Sequence, residues 1–365
     1  MWNDLYPGQI ESFSKKERRP MKVLLIGPYP PPYGGISVHV ELAQEELRRK
    51  GIDCRVVCID RRAPESDLYI RIKGGLELAL MVFNHARQGW IPHVHINGHT
   101  VKGWLVALIC GIAGHCAAAR LLTIHSGMTP AFLAGGRKRK LLARLSCSRY
   151  QHVISVSHEI REALEASRVP LERLDVLPAY LEDSRQPIPL PRILEKWLQA
   201  HTPILSTAIA FRPEYGFDLL LVALPELRQI NPAIGLLVIG SGEDMEAAKK
   251  QVSACGLGNS VLLAGEVPHA LCLSLIANSN GFVRPTRADG DSIAVREALA
   301  LGIPVVASDV CQRPAGTILF RNGDAADLAV AIENCLHHRN RGSVECRAEG
   351  GRQRLIEMYT RAAQA

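Results

Sequence analysis

The chain has 365 residues and a mass of 40.0 kDa, more than one hydrophobic core ordinarily supports, so two domains are expected. Hydrophobic residues make up 47% and charged residues 22%, with a mean hydropathy of +0.04, which excludes a disordered chain; ten cysteines without a C-x-x-C pair argue against a zinc ribbon or a thioredoxin-like motif. The net charge of +7 is lopsided, since residues 1–195 carry 27 Lys and Arg against 19 Asp and Glu, while residues 196–365 carry 16 against 17.

Residues 1–20 read as a polar extension without a secretory pattern, and with the scattered cysteines they fit a reducing cytoplasm. Met21 to Gly27 is a short branched apolar run, the mark of a strand buried on both faces. A loop rich in proline, ending in Tyr33-Gly34-Gly35, leads into a helix over Ile36–Lys50; its Val38, Leu42, Ala43 and Leu47 have helical spacing and Gly51 stops it. Strands are predicted at Arg55–Asp60, His93–Asn97, Arg120–His125 and His152–Val156, with a basic helix over Arg137–Ser148. Gly103 to Ala119 is apolar but interrupted by Gly111, Gly114 and His115; it sits at the short limit for crossing a bilayer and reads as a buried helix.

Pro187, Pro189, Pro191 and Pro203 flank one short amphipathic segment and mark a linker at 186–203. Beyond it a second series runs through strands at Ile204–Ala210, Gly235–Ile239, Ser260–Leu263, Gly281–Val283 and Pro304–Ala307, with helices over Phe217–Ile230, Glu243–Cys255, His269–Ala277 and Ile293–Leu301. Such alternation implies parallel sheets covered on both faces by helices. The organisation is therefore two doubly wound domains, 21–185 and 204–345, facing a central cleft, with a final helix over 346–365 expected to pack back toward the first domain. Ligands of such sheets sit at the carboxyl ends of the strands.

Gly34 and Gly35 follow the first strand and open a helix, so free amides and the positive end of the helix dipole can meet an anion; a tight turn uses the same residues. The loop is not G-x-G-x-x-G, and its prolines argue against a nicotinamide fingerprint even though Asp60 lies near where a ribose-binding acid falls. A second strand–glycine–helix junction occurs at Val238–Asp244 (VIGSGED). In the block Val283–Asp309, Asp289 and Glu297 are eight apart, with Gly290, Asp291 and Ser292 at a helix N-terminus between them. That spacing offers a carboxylate before the helix, amides for a phosphate, and a second carboxylate two turns along.

Together, the P-P-x-G-G-I-x-x-H-V opening, the strand end at His125, Val153–His158 (VISVSH), the Gly240–Asp244 loop, and the acid-x7-Glu block followed by A-L-A-x-G-x-P-V-V-A-S resemble the family 4 retaining glycosyltransferases of the GT-B fold. The resemblance covers nearly the whole chain after Met21, and D-G-D-S-x-x-x-R-E-A-L resembles a branch found in surface-polysaccharide pathways. It implies an α/β fold in which the first Rossmann-like domain takes the acceptor and the second takes a nucleotide-sugar. It also implies catalytic roles for His125 near the reacting carbon, Asp289 on hydroxyls of the donor sugar and Glu297 on the ribose. Donor-binding residues by the same resemblance are Gly34, Gly35, Arg212, Gly240, Gly242, Val267, Gly290, Asp291, Ser292 and Ile293, with the amides around Ser292 and Ile293 on the diphosphate. His95 and Asn97, at a strand end facing the cleft, are acceptor-side candidates.

Two departures stand out. The family usually has Glu where Asp289 stands, and an Arg and a Lys where Ala210 and Tyr215 stand. Charge compensation for the diphosphate then falls to Arg212, which suits bidentate phosphate contact, or to Arg284, Arg296 or Arg313. The expected activity is transfer, with retained configuration, from a nucleoside diphosphate sugar (UDP first, GDP next) to a saccharide acceptor, lipid-linked, in cell-surface polysaccharide synthesis. No metal and no cofactor are expected, since amides and arginines take over neutralisation of the leaving group. A nucleotide-sugar epimerase of the same fold, a catalytically silent partner protein and, against the glycine pattern, a nicotinamide oxidoreductase are the competing readings. Arg137, Lys138, Arg139 and Lys140 follow the apolar Ala131-Phe132-Leu133; they form either a solvated face or a contact with anionic lipid at the inner face of the plasma membrane. Nucleic acid is the weakest partner class, for no aromatic residues interleave the basic run.

Overall fold

A computed structural model of the protein describes residues 21–61, 63–179, 187–242, 244–337 and 350–364; the polar extension at 1–20 lies outside them. The first half runs β1 (Lys22–Gly27), α1 (Gly35–Arg49), β2 (Asp53–Cys58), β3 (Ile70–Arg71), α2 (Gly75–Arg87), β4 (Trp90–Ile96), α3 (Val101–Ala113), β5 (Leu121–Ile124), α4 (Thr129–Ala134), α5 (Arg137–Cys147), β6 (His152–Ser155), α6 (His158–Glu165) and β7 (Leu174–Val176). The second half runs α7 (Arg192–Gln199), β8 (Ile204–Ala208), α8 (Phe217–Ile230), β9 (Gly235–Ile239), α9 (Met245–Ala254), β10 (Val261–Gly265), α10 (His269–Ala277), β11 (Gly281–Arg284), α11 (Ile293–Ala300), β12 (Val305–Ser308), β13 (Thr317–Phe320), α12 (Ala325–His337) and α13 (Gly351–Gln364).

Two sheets result, ordered β3-β2-β1-β4-β5-β6-β7 and β10-β9-β8-β11-β12-β13, and every pairing within them is parallel. Parallel strands need crossovers that cover both faces, so their side chains are apolar or internally satisfied. Strand β4 is buried at every position, His93 and His95 included. One face of the first sheet packs Leu24, Ile26, Val94 and Trp104 in a common core; the other packs Val23, Leu25 and Leu47. The second sheet has its own pair of cores, one around Leu220, Leu236 and Val283 and one around Leu275, Phe282 and Val305.

Three differences from the sequence reading have local causes. Helix α3 starts earlier, where the Thr100 hydroxyl accepts from the Gly103 amide, and stops at Ala113 with Gly114 as its cap, six residues before Ala119. Among the described residues no helix is long and apolar enough to cross a membrane. The segment read as a linker contains α7, whose Leu194, Trp197 and Leu198 join the core of the second sheet, while the Ile188 amide donates to Ser274 Oγ at 2.7 Å. The described part of that segment thus belongs to the second domain.

Helix α13 lies on the first domain. Leu355, Met358, Tyr359 and Ala362 enter the core that holds Val23 and Leu25, Arg352 Nη1 reaches Glu46 Oε2 at 3.3 Å, and Arg354 donates to the Val176 carbonyl at 2.9 Å. The Tyr359 hydroxyl meets Nδ1 of the buried His93, whose Nε2 is 2.7 Å from Thr123 Oγ1. Tyr359→Phe keeps the ring and strands that Nδ1 without a partner. Urea unfolding is expected to show a loss of about 1–3 kcal/mol, the cost of an unmet buried polar group; an unchanged midpoint would assign the helix's hold to ring packing alone.

Candidate active site

The order of each sheet reverses once, between β1 and β4 and between β8 and β11, and the loops leaving the two strands at such a point diverge to open a crevice. At the first reversal lie the Gly34–Gly35 loop after β1 and His95 and Asn97 at the end of β4, with His125 just beyond β5. At the second, Arg284 closes β11 and donates from Nη1 to the Ala208 carbonyl at the end of β8, at 2.8 Å.

On the first domain the histidines are neutral. His125 is 8% exposed, and its Nε2 stands 3.2 Å from His95 Nδ1. His39 comes in from α1, its ring 5.1 Å from that of His125 and 5.3 Å from that of His95 between centroids, and its Nδ1 donates to the Ala179 carbonyl. Burial pushes His39 down to about 4 despite that bond. The same cause, joined by the neighbouring imidazoles, takes His95 and His125 well below the usual histidine range. Asn97 turns inward: its Oδ1 accepts from the His99 amide at 3.3 Å and from Thr100 Oγ1 at 3.2 Å, fixing the entry to α3. His95 and Asn97 border a cavity of about 460 Å3 that also touches Pro28, Asp60 and Lys102.

On the second domain the side chains are charged and paired. Asp289 accepts from Arg284 Nε at 3.0 Å, Arg313 Nη1 at 2.8 Å and Thr286 Oγ1 at 3.2 Å. Burial works to raise its pKa, yet the two guanidiniums hold it down at about 2. Tyr215, where the resemblance expects a lysine, lays its ring 5.2 Å from the Arg284 guanidinium, so a cation occupies that neighbourhood by another route. Asp291 is raised by burial against the pull of Arg296; it accepts from Arg296 Nε at 2.7 Å and from the Ala179 amide at 2.9 Å. Ser292 caps α11 by accepting from the Val295 amide. Glu297, two turns on, is buried and bonded to His269 Nε2 at 2.7 Å. Ile293 points its side chain into the core of the first domain.

The domains meet backbone to backbone. A side chain on Gly127 would run into the Asp289 carbonyl, and one on Gly290 into the carbonyl of His125, so both positions require glycine. Beside this contact is a second cavity of about 380 Å3, bordered by Met128, Glu159 and Asp289. The glycine-rich loop also crosses the cleft: the Tyr33 amide donates to Glu266 Oε1 at 2.8 Å, while the Gly34 amide donates to Ser37 Oγ at 2.9 Å. A carboxylate thus already sits against the loop where the resemblance puts a diphosphate. Gly240 has φ +124° and its absent side chain makes room for the Ile209 carbonyl, and Gly242 lies against the Phe211 backbone; both have packing reasons of their own. Val267 is partly buried in the second core. Arg212 is exposed on the loop after β8 and near enough to His99 for its charge to lower that imidazole, after burial and against Glu214. Arg137, Lys138, Arg139 and Lys140 lie on the first turn of α5.

His39, His269, Arg284 and Arg313 therefore complete the constellation. Sequence reading offers the two arginines only as substitutes for Arg212, and it gives His39 and His269 no role.

Comparison with known proteins finds two family models in tandem, Glycosyltransferase Family 4 over residues 33–185 and Glycosyl transferases group 1 over residues 202–338. A GDP-mannose-dependent alpha-(1-6)-phosphatidylinositol monomannoside mannosyltransferase of Mycolicibacterium smegmatis is 26% identical over 185 residues. That match covers 48% of this chain and 48% of the relative, so it spans about half the length of that relative. A 2-deoxystreptamine N-acetyl-D-glucosaminyltransferase of Streptomyces fradiae is 26% identical over 80% of this chain and 74% of its own. Among solved structures, Anabaena Alr3699/HepE in complex with UDP superposes with a TM-score of 0.68 at 17% identity, covering 94% of this chain and 98% of that one. Sucrose-phosphate synthase of Thermosynechococcus elongatus does so with 0.70 at 19%, covering 94% and 96%.

The Asp289 pairing has a pH signature. A carboxylate depressed from 3.8 to about 2 contributes stability that is complete above its unfolded value and lost as pH falls through its folded one. Asp289→Asn leaves Arg284 and Arg313 without their buried counter-charge, and at pH 7 it is expected to cost about 3–5 kcal/mol. In thermal denaturation the gap between parent and variant should narrow between about pH 4 and pH 2; a gap constant with pH would mean that Asp289 is not charged in the fold.

Proposed function

The chain belongs to the family 4 glycosyltransferases of the GT-B fold, and on that premise we propose that it moves a sugar from a nucleoside diphosphate sugar to a saccharide acceptor with retained configuration. The observation that carries this reading is the opposition, across the Gly127–Gly290 contact, of a neutral imidazole group around His125 and a cationic group around Asp289. A glycosyl transfer uses both: hydrogen-bonding side chains for sugar hydroxyls, and fixed positive charge for a leaving diphosphate.

In this reading Glu297, oriented by His269, accepts from the ribose hydroxyls. The amides of Ser292 and Ile293 at the start of α11 meet the diphosphate, as do the glycine-loop amides once Glu266 gives way. Asp289 absorbs one positive charge of the Arg284–Arg313 pair and leaves the other uncompensated, and Arg212 adds a further cation at the rim. His125 holds a donor-sugar hydroxyl near the anomeric carbon, while the leaving phosphate takes the acceptor proton on the same face of the sugar. No nucleophile of the chain is assigned to the anomeric carbon, and no metal is required, because arginines and amides neutralise the leaving group. His95 and Asn97 border the cavity on the acceptor side. UDP is the favoured nucleotide and GDP the next, with a UDP-bound neighbour supporting the one and a GDP-mannose-dependent relative the other.

The acceptor is proposed to be lipid-linked, in surface-polysaccharide synthesis. Leu141 and Leu145 of α5 are 54% and 43% exposed beside its four basic residues, an arrangement that suits an anionic lipid surface at the cytoplasmic face of a membrane.

Two experiments test the two ends of the site. In thermal-shift titrations with UDP- and GDP-sugars, one donor should raise the parent's midpoint as its concentration exceeds its Kd. Glu297→Ala should weaken that donor by about 1–3 kcal/mol; equal affinity in the folded variant would remove Glu297 from the ribose. Replacing Arg137, Lys138, Arg139 and Lys140 by Gln should lower binding to anionic vesicles by at least about tenfold at low salt, with the difference closing as salt rises, and leave donor affinity alone. Equal vesicle binding at low salt would point instead to a soluble acceptor.

A further inference from the structure

His39 has no part in the transfer reaction, yet it is buried with an unmet nitrogen beside two histidines that do. One ring nitrogen from each of His39, His95 and His125 lies within 4.8 Å of the others, and all three residues are buried. The His39 bond to Ala179 fixes its tautomer: the acceptor is a carbonyl, so the proton sits on Nδ1 and Nε2 presents a bare lone pair. That Nε2 has no partner among the described residues, and neither has Nε2 of His95.

The three-ring cluster and the bare Nε2 of His39 suit a metal ion. Imidazoles that ligate a metal commonly donate their other N–H to a backbone carbonyl, which holds the ring in place. Two histidine nitrogens on one tetrahedral zinc, each about 2.0–2.1 Å from it, are about 3.3 Å apart; His95 Nδ1 and His125 Nε2 are 3.2 Å apart. The rings are held neutral by burial, so no imidazolium proton has to be expelled. His95 borders the 460 Å3 cavity, which provides an entry path. A set of three imidazoles with no carboxylate favours zinc, copper, nickel or cobalt over magnesium or calcium.

We propose that His39, His95 and His125 form a site for a divalent transition metal of the zinc class, and that the bound ion switches transfer off by taking the His125 nitrogen away from the donor sugar. On binding, the proton between His95 and His125 moves to the other nitrogen of its own ring, and all three ligands stay neutral. Water would complete the coordination. The blocking step rests on the proposed place of His125 beside the sugar; the metal site does not.

Cobalt is the probe, because its visible absorption reports coordination independently of activity. Metal-stripped parent should bind one Co2+ per chain with a tetrahedral spectrum that Zn2+ displaces and excess Mg2+ does not; absence of that spectrum overturns the site. His39→Phe should weaken Co2+ by at least about tenfold, and His115→Ala, at an exposed position, should not; an unchanged His39→Phe overturns it equally. Should His39→Phe fail to fold, X-ray absorption of the Zn2+-loaded parent decides the matter, with three imidazole nitrogens expected and sulfur or fewer imidazoles overturning the proposal. Zn2+ should abolish sugar transfer and a chelator restore it; full turnover with the ion bound removes the blocking step. A metal-free parent that binds Co2+ as expected but transfers no sugar counts against the transferase reading and leaves the metal site standing.

Discussion

Ala179 joins the two halves of the site through the backbone of one residue. Its carbonyl accepts from His39 of the first domain, and its amide donates to Asp291 of the second. Beside Asp291 in the chain, the backbones at Gly127 and Asp289, and at His125 and Gly290, approach so closely that neither glycine tolerates a side chain. The relative position of His125, Asp289 and Asp291 depends on this seam: His125 lies within two residues of Gly127, and Asp289 and Asp291 flank Gly290. A hinge elsewhere in the chain would not preserve the relation between imidazole and carboxylate. These backbone contacts preserve it, and Ile293 reinforces them by burying its side chain in the core of the opposite domain.

Burial acts in opposite senses on the two sides of the seam. Where it meets imidazoles without counter-ions it keeps them uncharged, and the three rings pack as polar but neutral groups. Where it meets Asp289 it is outweighed by two guanidiniums, and the carboxylate stays ionised. The cleft therefore has uncharged imidazoles on one side and ion-paired carboxylates and arginines on the other, although the formal basic excess lies on the first half of the chain. Surface charge and site charge are independent here: the surplus of the first half includes the exposed start of α5, whereas the charge of the site comes from buried arginines of the second.

The parts legible in the sequence are those written within one segment. Helix α8, strand β9 and helix α10 fall on Phe217–Ile230, Gly235–Ile239 and His269–Ala277 as the periodicity predicts, because glycine, asparagine or proline brackets each. Asp289 and Glu297 are recognisable as a pair because one loop and one helix carry both. Their distant partners are not, nor is the reach of His39: His269 is 28 residues from Glu297, Arg313 is 24 from Asp289, and His39 reaches Ala179 across 140 residues. No spacing rule spans such gaps; only the order of the sheets brings them together. Helix α7 went unseen as a core element for a different reason, since the prolines around it are the same signal a free connector gives.

Helix α13 closes the core of the first domain from the far end of the chain, and Arg352 meets Glu46 across 306 residues. Synthesis proceeds from the N-terminus, so β1 and α1 leave the ribosome long before the side chains that cover them. Until Leu355, Met358 and Tyr359 emerge, the apolar face around Val23 and Leu25 is covered by α1 but lacks the side chains of α13, so the core of the first domain stays incomplete. A nascent chain paused within the second domain would present that face to chaperones and to its neighbours on the same message, which makes the tempo of translation part of how this protein reaches its fold.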